Sequence, residues 1–85
     1  MRVVHTSLVY TDGQTSVYRS AIVDCRRGRK PGRWSGRHVE YVGESLTFTR
    51  ENSDATIRGW CDHQSRKVAE QLGIPAGPDT FPYAR

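Results

Sequence analysis

The residues with the clearest chemical signature lie between Arg26 and Arg37. Six cations, Arg26, Arg27, Arg29, Lys30, Arg33 and Arg37, fall in that stretch with no carboxylate among them. Guanidinium forks bind phosphate oxygens through charge-assisted hydrogen bonds, and each neutralised phosphate releases counterions. The segment therefore suits a polyanion, bound with little regard to sequence and with strong sensitivity to salt. Trp34 sits among these cations. An indole in that setting can stack on an unpaired base, or it can fold back over a small core. The same arginines could instead meet an acidic protein surface or simply remain solvated. The expected binding residues are Arg26, Arg27, Arg29, Lys30, Arg33, Trp34 and Arg37.

Charge along the rest of the chain sharpens this reading. In all, 13 Lys and Arg oppose 9 Asp and Glu for a net +4, but outside the arm 7 cations face 9 anions, a balance of −2. The chain is a mildly acidic body carrying one basic arm. Charge concentrated in this way is the footprint of a nucleic-acid partner, whereas evenly spread charge would indicate little beyond solubility. Eleven of the 13 cations are arginine, a bias that codon usage alone can produce.

Two short motifs resemble known ones. Arg27-Gly28-Arg29-Lys30-Pro31 resembles the AT-hook, whose Arg-Gly-Arg core lies in the minor groove of AT-rich DNA, although Lys30 stands where that motif has proline. The resemblance implies groove contacts by Arg27, Gly28 and Arg29. Tyr10-Thr11-Asp12-Gly13 resembles the first carboxylate motif of the ribonuclease H family, which would make Asp12 a magnesium ligand. Further carboxylates would have to come from Glu51, Asp54 or Asp62, and an Asp-Gly hairpin turn accounts for the same letters.

Two looser constellations also have plain readings. His38, Glu40 and Tyr41, beside the basic loop, have the residue types that a small metal-independent ribonuclease would use: a general base, a general acid and phosphate-binding arginines. On one strand, His38 and Glu40 would share the solvent face of an edge hairpin while Tyr41 enters the core. Cys61-x-His63, with Cys25 and His38, offers zinc ligand types without paired spacing, and Cys61 falls on an apolar helical stripe where a thiol behaves as a small hydrophobe. No catalytic residue, metal or cofactor is expected.

The elements that must position these residues follow from hydropathy and turn chemistry. Arg2 to Tyr10 reads as a strand, with Val4, Thr6, Leu8 and Tyr10 on one face and Val3, His5, Ser7 and Val9 on the other. Thr11-Asp12-Gly13-Gln14 reads as a turn, and Ser16 to Cys25 as the returning strand. The glycines and proline of Arg26 to Gly36 read as a loop. His38 to Val42 and Ser45 to Arg50 read as a second hairpin about a Gly43-Glu44 turn. After the N-cap residues Asn52, Ser53 and Asp54, an amphipathic helix is expected over Asp54 to Leu72, with Ile57, Trp60, Cys61, Val68, Ala69 and Leu72 on its apolar side. Gly73 and Pro75 stop it, and a break near Gly59 is allowed.

The fold class expected is α+β: two β-hairpins forming a small antiparallel sheet of about four strands, packed against one C-terminal helix. Residues 1–74 form a single domain containing the basic loop 26–37, and residues 75–85 form a Pro/Gly-rich tail. Val4, Leu8, Val17, Val23, Leu46, Phe48, Ile57, Val68 and Leu72 should supply most of the core. A chain of 85 residues with 35% hydrophobic content supports one small core and no two-lobed active site. No apolar run reaches the roughly 18 residues of a membrane span, no secretory leader is evident, and two cysteines fit a reducing cytoplasm. The function expected is non-enzymatic binding of nucleic acid, or of a nucleoprotein complex, through the arm. The alternative is a protein-binding inhibitor or adaptor of mobile-element type, which would turn the same arginines against an acidic patch of a host nuclease or defence complex. A small ribonuclease is the remaining alternative.

Overall fold

The computed structural model describes residues 1–27 and 34–77, and of residues 25–27 and 34–38 the backbone alone. Three strands, β1 (Arg2–Thr11), β2 (Thr15–Arg27) and β3 (Trp34–Thr49), precede one helix, α1 (Asp54–Leu72). The sheet is antiparallel with β2 in the centre. Among the described residues the fold is therefore α+β with three strands, and the fourth is not seen.

The first hairpin forms where Asp-Gly requires it. Asp12 Oδ1 accepts from the N–H groups of Gln14 and Thr15 at 2.9 and 2.8 Å. These two bonds satisfy backbone donors that the tight reversal leaves without ladder partners.

The expected second hairpin does not form. Gly43 does take a positive φ of 73°, as the turn reading required, but the chain continues forward instead of reversing. On β2 only Arg19 separates Tyr18 from Ser20, while on β3 the residues Gly43, Glu44 and Ser45 separate their partners Val42 and Leu46. The glycine therefore builds a bulge inside one 16-residue strand, because β2 is long enough to pair with both halves of it. Two smaller irregularities, at Val9 on β1 and at Val39 on β3, shift which side chains share a face.

α1 starts and stops where its caps predict and runs unbroken through Gly59. Ser53 Oγ accepts from Thr56 N at 3.2 Å, and Gly73 closes the C-terminus with its N–H directed at the carbonyls of Ala69 and Glu70. The helix lies against one sheet face. Val4, Val68 and Ala69 form the buried centre there, with Val42 and Ile74 packed around it. Thr6 Oγ1 lies 2.7 Å from Ser20 Oγ and 2.6 Å from Ser65 Oγ. Three buried hydroxyls thus satisfy one another where a larger protein would place aliphatic side chains. Nearer the helix N-terminus, Tyr18 and Phe48 meet edge to face, with centroids 5.7 Å apart.

Burial corrects part of the expected core. Val4, Val23, Phe48 and Val68 are buried, whereas Val17, Leu46 and Ile57 are only half-buried, and Leu8 and Leu72 are exposed. Trp60, expected on the apolar stripe, is 55% exposed and meets His63 edge to face. The stripe that faces the sheet is Cys61, Gln64, Ser65, Val68 and Ala69, narrower and more polar than the hydropathy pattern implies. Val68→Ala should accordingly lower stability by about 2–3 kcal/mol and Leu72→Ala by less than about 1 kcal/mol. Thermal melts read the difference directly, at about 4–8 °C per kcal/mol for a domain of this size.

Past the helix, the chain returns to the outer edge of β1. Val4 N donates to Pro75 O at 2.9 Å and Gly77 N donates to Val4 O at 2.7 Å, a parallel bridge centred on Val4 and Ala76. Residues 75–77, part of the segment 75–85 read as a tail, are held there by backbone hydrogen bonds. Among the described residues no helix is long and apolar enough to cross a membrane.

Candidate nucleic-acid interface

The basic arm is shorter as a loop, and more strand-like, than its composition predicts. β2 runs on to Arg27 and β3 begins at Trp34, with Arg27 paired to Trp34, Arg26 to Ser35, Cys25 to Gly36 and Asp24 to Arg37. Arg26, Arg27, Trp34 and Arg37, expected in an open loop, are therefore ladder residues at the end of a long two-stranded ribbon. The reason is that the glycines and proline that break regular structure cluster at Gly28, Pro31 and Gly32, whereas their flanks can still exchange backbone hydrogen bonds. Arg29, Lys30 and Arg33 lie outside the described residues, as does most of the run that resembles the AT-hook. The ribbon nevertheless brings Arg26, Arg27 and Arg37 to one end of the sheet, where the chain spacing alone left them scattered over 12 residues.

The sheet has a second face, opposite α1. The register pairs Val3 with Val23 and His5 with Ala21, and these four are buried. Lower on the same face lie Ser7 and Arg19, then Tyr10 and Val17, with Tyr41 across from Ala21 and Thr47 across from Val17. Tyr10 is 55% and Tyr41 45% exposed. The Arg19 guanidinium carbon sits 4.6 Å from the Tyr41 ring centroid, a cation–π contact that fixes both side chains.

Three expectations change with this register. Tyr10, read as sharing a face with Leu8, is moved to the opposite face by the bulge at Val9. Tyr41 is a surface residue rather than a core one, 45% exposed on the face that α1 does not pack against. His38 and Glu40 do not keep the simple alternate register expected of them, because the bulge at Val39 pairs them with the adjacent β2 residues Val23 and Ile22. The alternate spacing that suggested an acid–base pair therefore does not hold in the ladder.

The remaining chemical candidates also have structural explanations. Asp12 is held below the usual carboxylate range by the N–H groups of Thr15 and Gln14, so the hairpin turn already uses the group that the ribonuclease H resemblance would assign to magnesium. The Cys61 thiol is 9% exposed, and burial pushes its pKa up to about 11, which keeps it protonated and unreactive. Among the described residues no three of His, Cys, Asp and Glu gather as a metal site.

Comparisons with known proteins identify no relative. No family model, no curated protein and no solved structure matches the chain. The interface therefore has to be judged on its own residues. Sequence reasoning found the arm from its charge but missed the Arg19–Tyr41 pair. Its only trace in the chain is that Arg19 alternates with Val17, Ala21 and Val23, a cation on an otherwise apolar strand face.

Proposed function

We propose that this protein is a non-catalytic binding module for nucleic acid, with the basic arm 26–37 as its primary contact. The observation that carries this reading is the set of six cations without a carboxylate, carried by the paired ends of β2 and β3 and by the segment that joins them. A β-ribbon carrying arginines can follow a groove or a phosphate track. Binding of this kind is dominated by counterion release. A labelled duplex of generic sequence should therefore bind with a slope of log K against log salt of about −3.5 to −5.5, the value for four to six phosphate contacts. A flat titration, or no binding at low salt, overturns the proposal. Capture of one stoichiometric protein from nuclease-treated lysate, without nucleic-acid binding, would favour the inhibitor or adaptor alternative.

A further inference from the structure

We propose that the chain beyond Gly77 folds back over the sheet face opposite α1, where Phe81 and Tyr83 cover the patch formed by Val3, His5, Ala21 and Val23. The proposal concerns the body of the domain and does not depend on the nucleic-acid reading of the arm.

Burial on this face requires a cover. Val3 is 1%, Ala21 3%, Val23 5% and His5 8% exposed, and the register joins them as two cross-strand pairs, Val3 with Val23 and His5 with Ala21. Side chains alternate along a strand, and α1 takes the other set: Val4 packs with Val68 and Ala69, and Thr6 meets Ser65. Neighbouring strands lie in the same layer as these four residues, so exposures this low need a second layer on their side. Among the described residues no element supplies it. The cover is also local. Tyr41, across from Ala21 on β3, is 45% exposed, which confines it to β1 and β2.

Chain geometry identifies the occupant. Val4 N donates to Pro75 O and Gly77 N donates to Val4 O, which brings the chain to the outer edge of β1 beside Val3 and His5. The neighbouring strand β2 lies about 4.8 Å further in. From Gly77 the chain spans at most about 14 Å to Phe81 and about 21 Å to Tyr83, enough to set both rings over the two strands. Each ring buries roughly 150–250 Å², a scale that suits a patch of four modest side chains. Pro78 and Pro82 fix φ at their positions and so reduce the entropy lost when the segment is ordered.

The other stretches of chain fit this role less well. Residues 28–33 contain two glycines, one proline and three cations, with no large apolar side chain to lay on the patch. Trp34 pairs with Arg27, six β2 residues from Ala21 and therefore roughly 20 Å away, farther than one side chain extends.

The test uses the full chain. In the unmodified protein, nuclear Overhauser contacts should join the ring protons of Phe81 and Tyr83 to the methyl groups of Val3, Ala21 and Val23, a readout that needs no variant to fold. Phe81→Ala should lower the melting temperature by about 8 °C or more, whereas Thr80→Ala should shift it by less than about 4 °C. Acylation of His5 by diethyl pyrocarbonate should be slow in the parent and should rise in Phe81→Ala toward the rate of His63, which is exposed.

Ring contacts to these methyls from Trp34 alone would overturn the proposal and give the cover to the arm. Phe81→Ala and Tyr83→Ala variants that both melt with the parent and leave His5 protected would overturn it as well. Contacts that appear only between differently labelled molecules in a mixed sample would make a second copy the occupant, and the intramolecular proposal would fail.

Discussion

Gly43→Ala should lower folding stability by about 2–5 kcal/mol, the sum of two separate effects. Gly43 has a φ of 73°, where a side chain is disfavoured, and a Cβ built there would lie 2.8 Å from Val68 Cγ2. Val68 belongs to the buried centre of the domain, so it cannot move aside without opening the contact between α1 and β1. A domain of this length has about 4–13 kcal/mol of stability in total, so the substitution should remove a large part of it. Gly13→Ala separates the two effects. Gly13 has a φ of 89° but no atom within 4 Å of a built Cβ, so it should lose only the backbone contribution of about 1–2 kcal/mol. Denaturant melts of both variants measure the packing contribution as their difference. Equal losses would show that the helix does not press on the bulge.

The second large effect concerns the arm. Replacing Arg26, Arg27, Arg29 and Lys30 together with alanine should flatten the duplex salt slope by about 3.6 and reduce affinity at 0.1 M salt on the order of 10³-fold. Thermal stability should change little, because the ladder at Arg26–Ser35 and Arg27–Trp34 is made by backbone groups that alanine retains. The matching variant with four lysines should keep the slope, since counterion release depends on charge number, while losing whatever affinity comes from bidentate guanidinium contacts. Anisotropy titrations at four salt concentrations distinguish these outcomes. An alanine variant with an unchanged slope would mean that these cations do not touch phosphate.

The structure also explains why a chain with so few aliphatic residues folds around polar groups. Thr6, Ser20 and Ser65 are buried, with the Thr6 hydroxyl 2.7 Å from that of Ser20 and 2.6 Å from that of Ser65. Gln64 Nε2 donates to Glu44 O at 3.4 Å, tying the helix to the β3 bulge. Small side chains let α1 approach the sheet closely, and mutual hydrogen bonding removes most of the desolvation penalty that isolated hydroxyls would carry.

Local features of the sequence determined most of the scaffold. The Asp12-Gly13 turn, the Ser53 cap, the Gly73 stop and the helix between them were legible because each depends on a few neighbouring residues satisfying their own backbone. The basic arm was legible for a similar reason, since charge density needs no partner to be read. Faces and pairing were not legible, because they depend on register. Gly43 carried an unambiguous signal for positive φ, yet only the length of β2 decided that this bend would become a bulge rather than a reversal. One bulge residue at Val9 sent Tyr10 to the face opposite Leu8, and one at Val39 put His38 and Glu40 opposite adjacent β2 residues. A strand alternates its side chains with a period of two, so each single inserted residue inverts the assignment of everything beyond it. The tertiary structure alone therefore placed Tyr10, Arg19 and Tyr41 on the sheet face opposite α1.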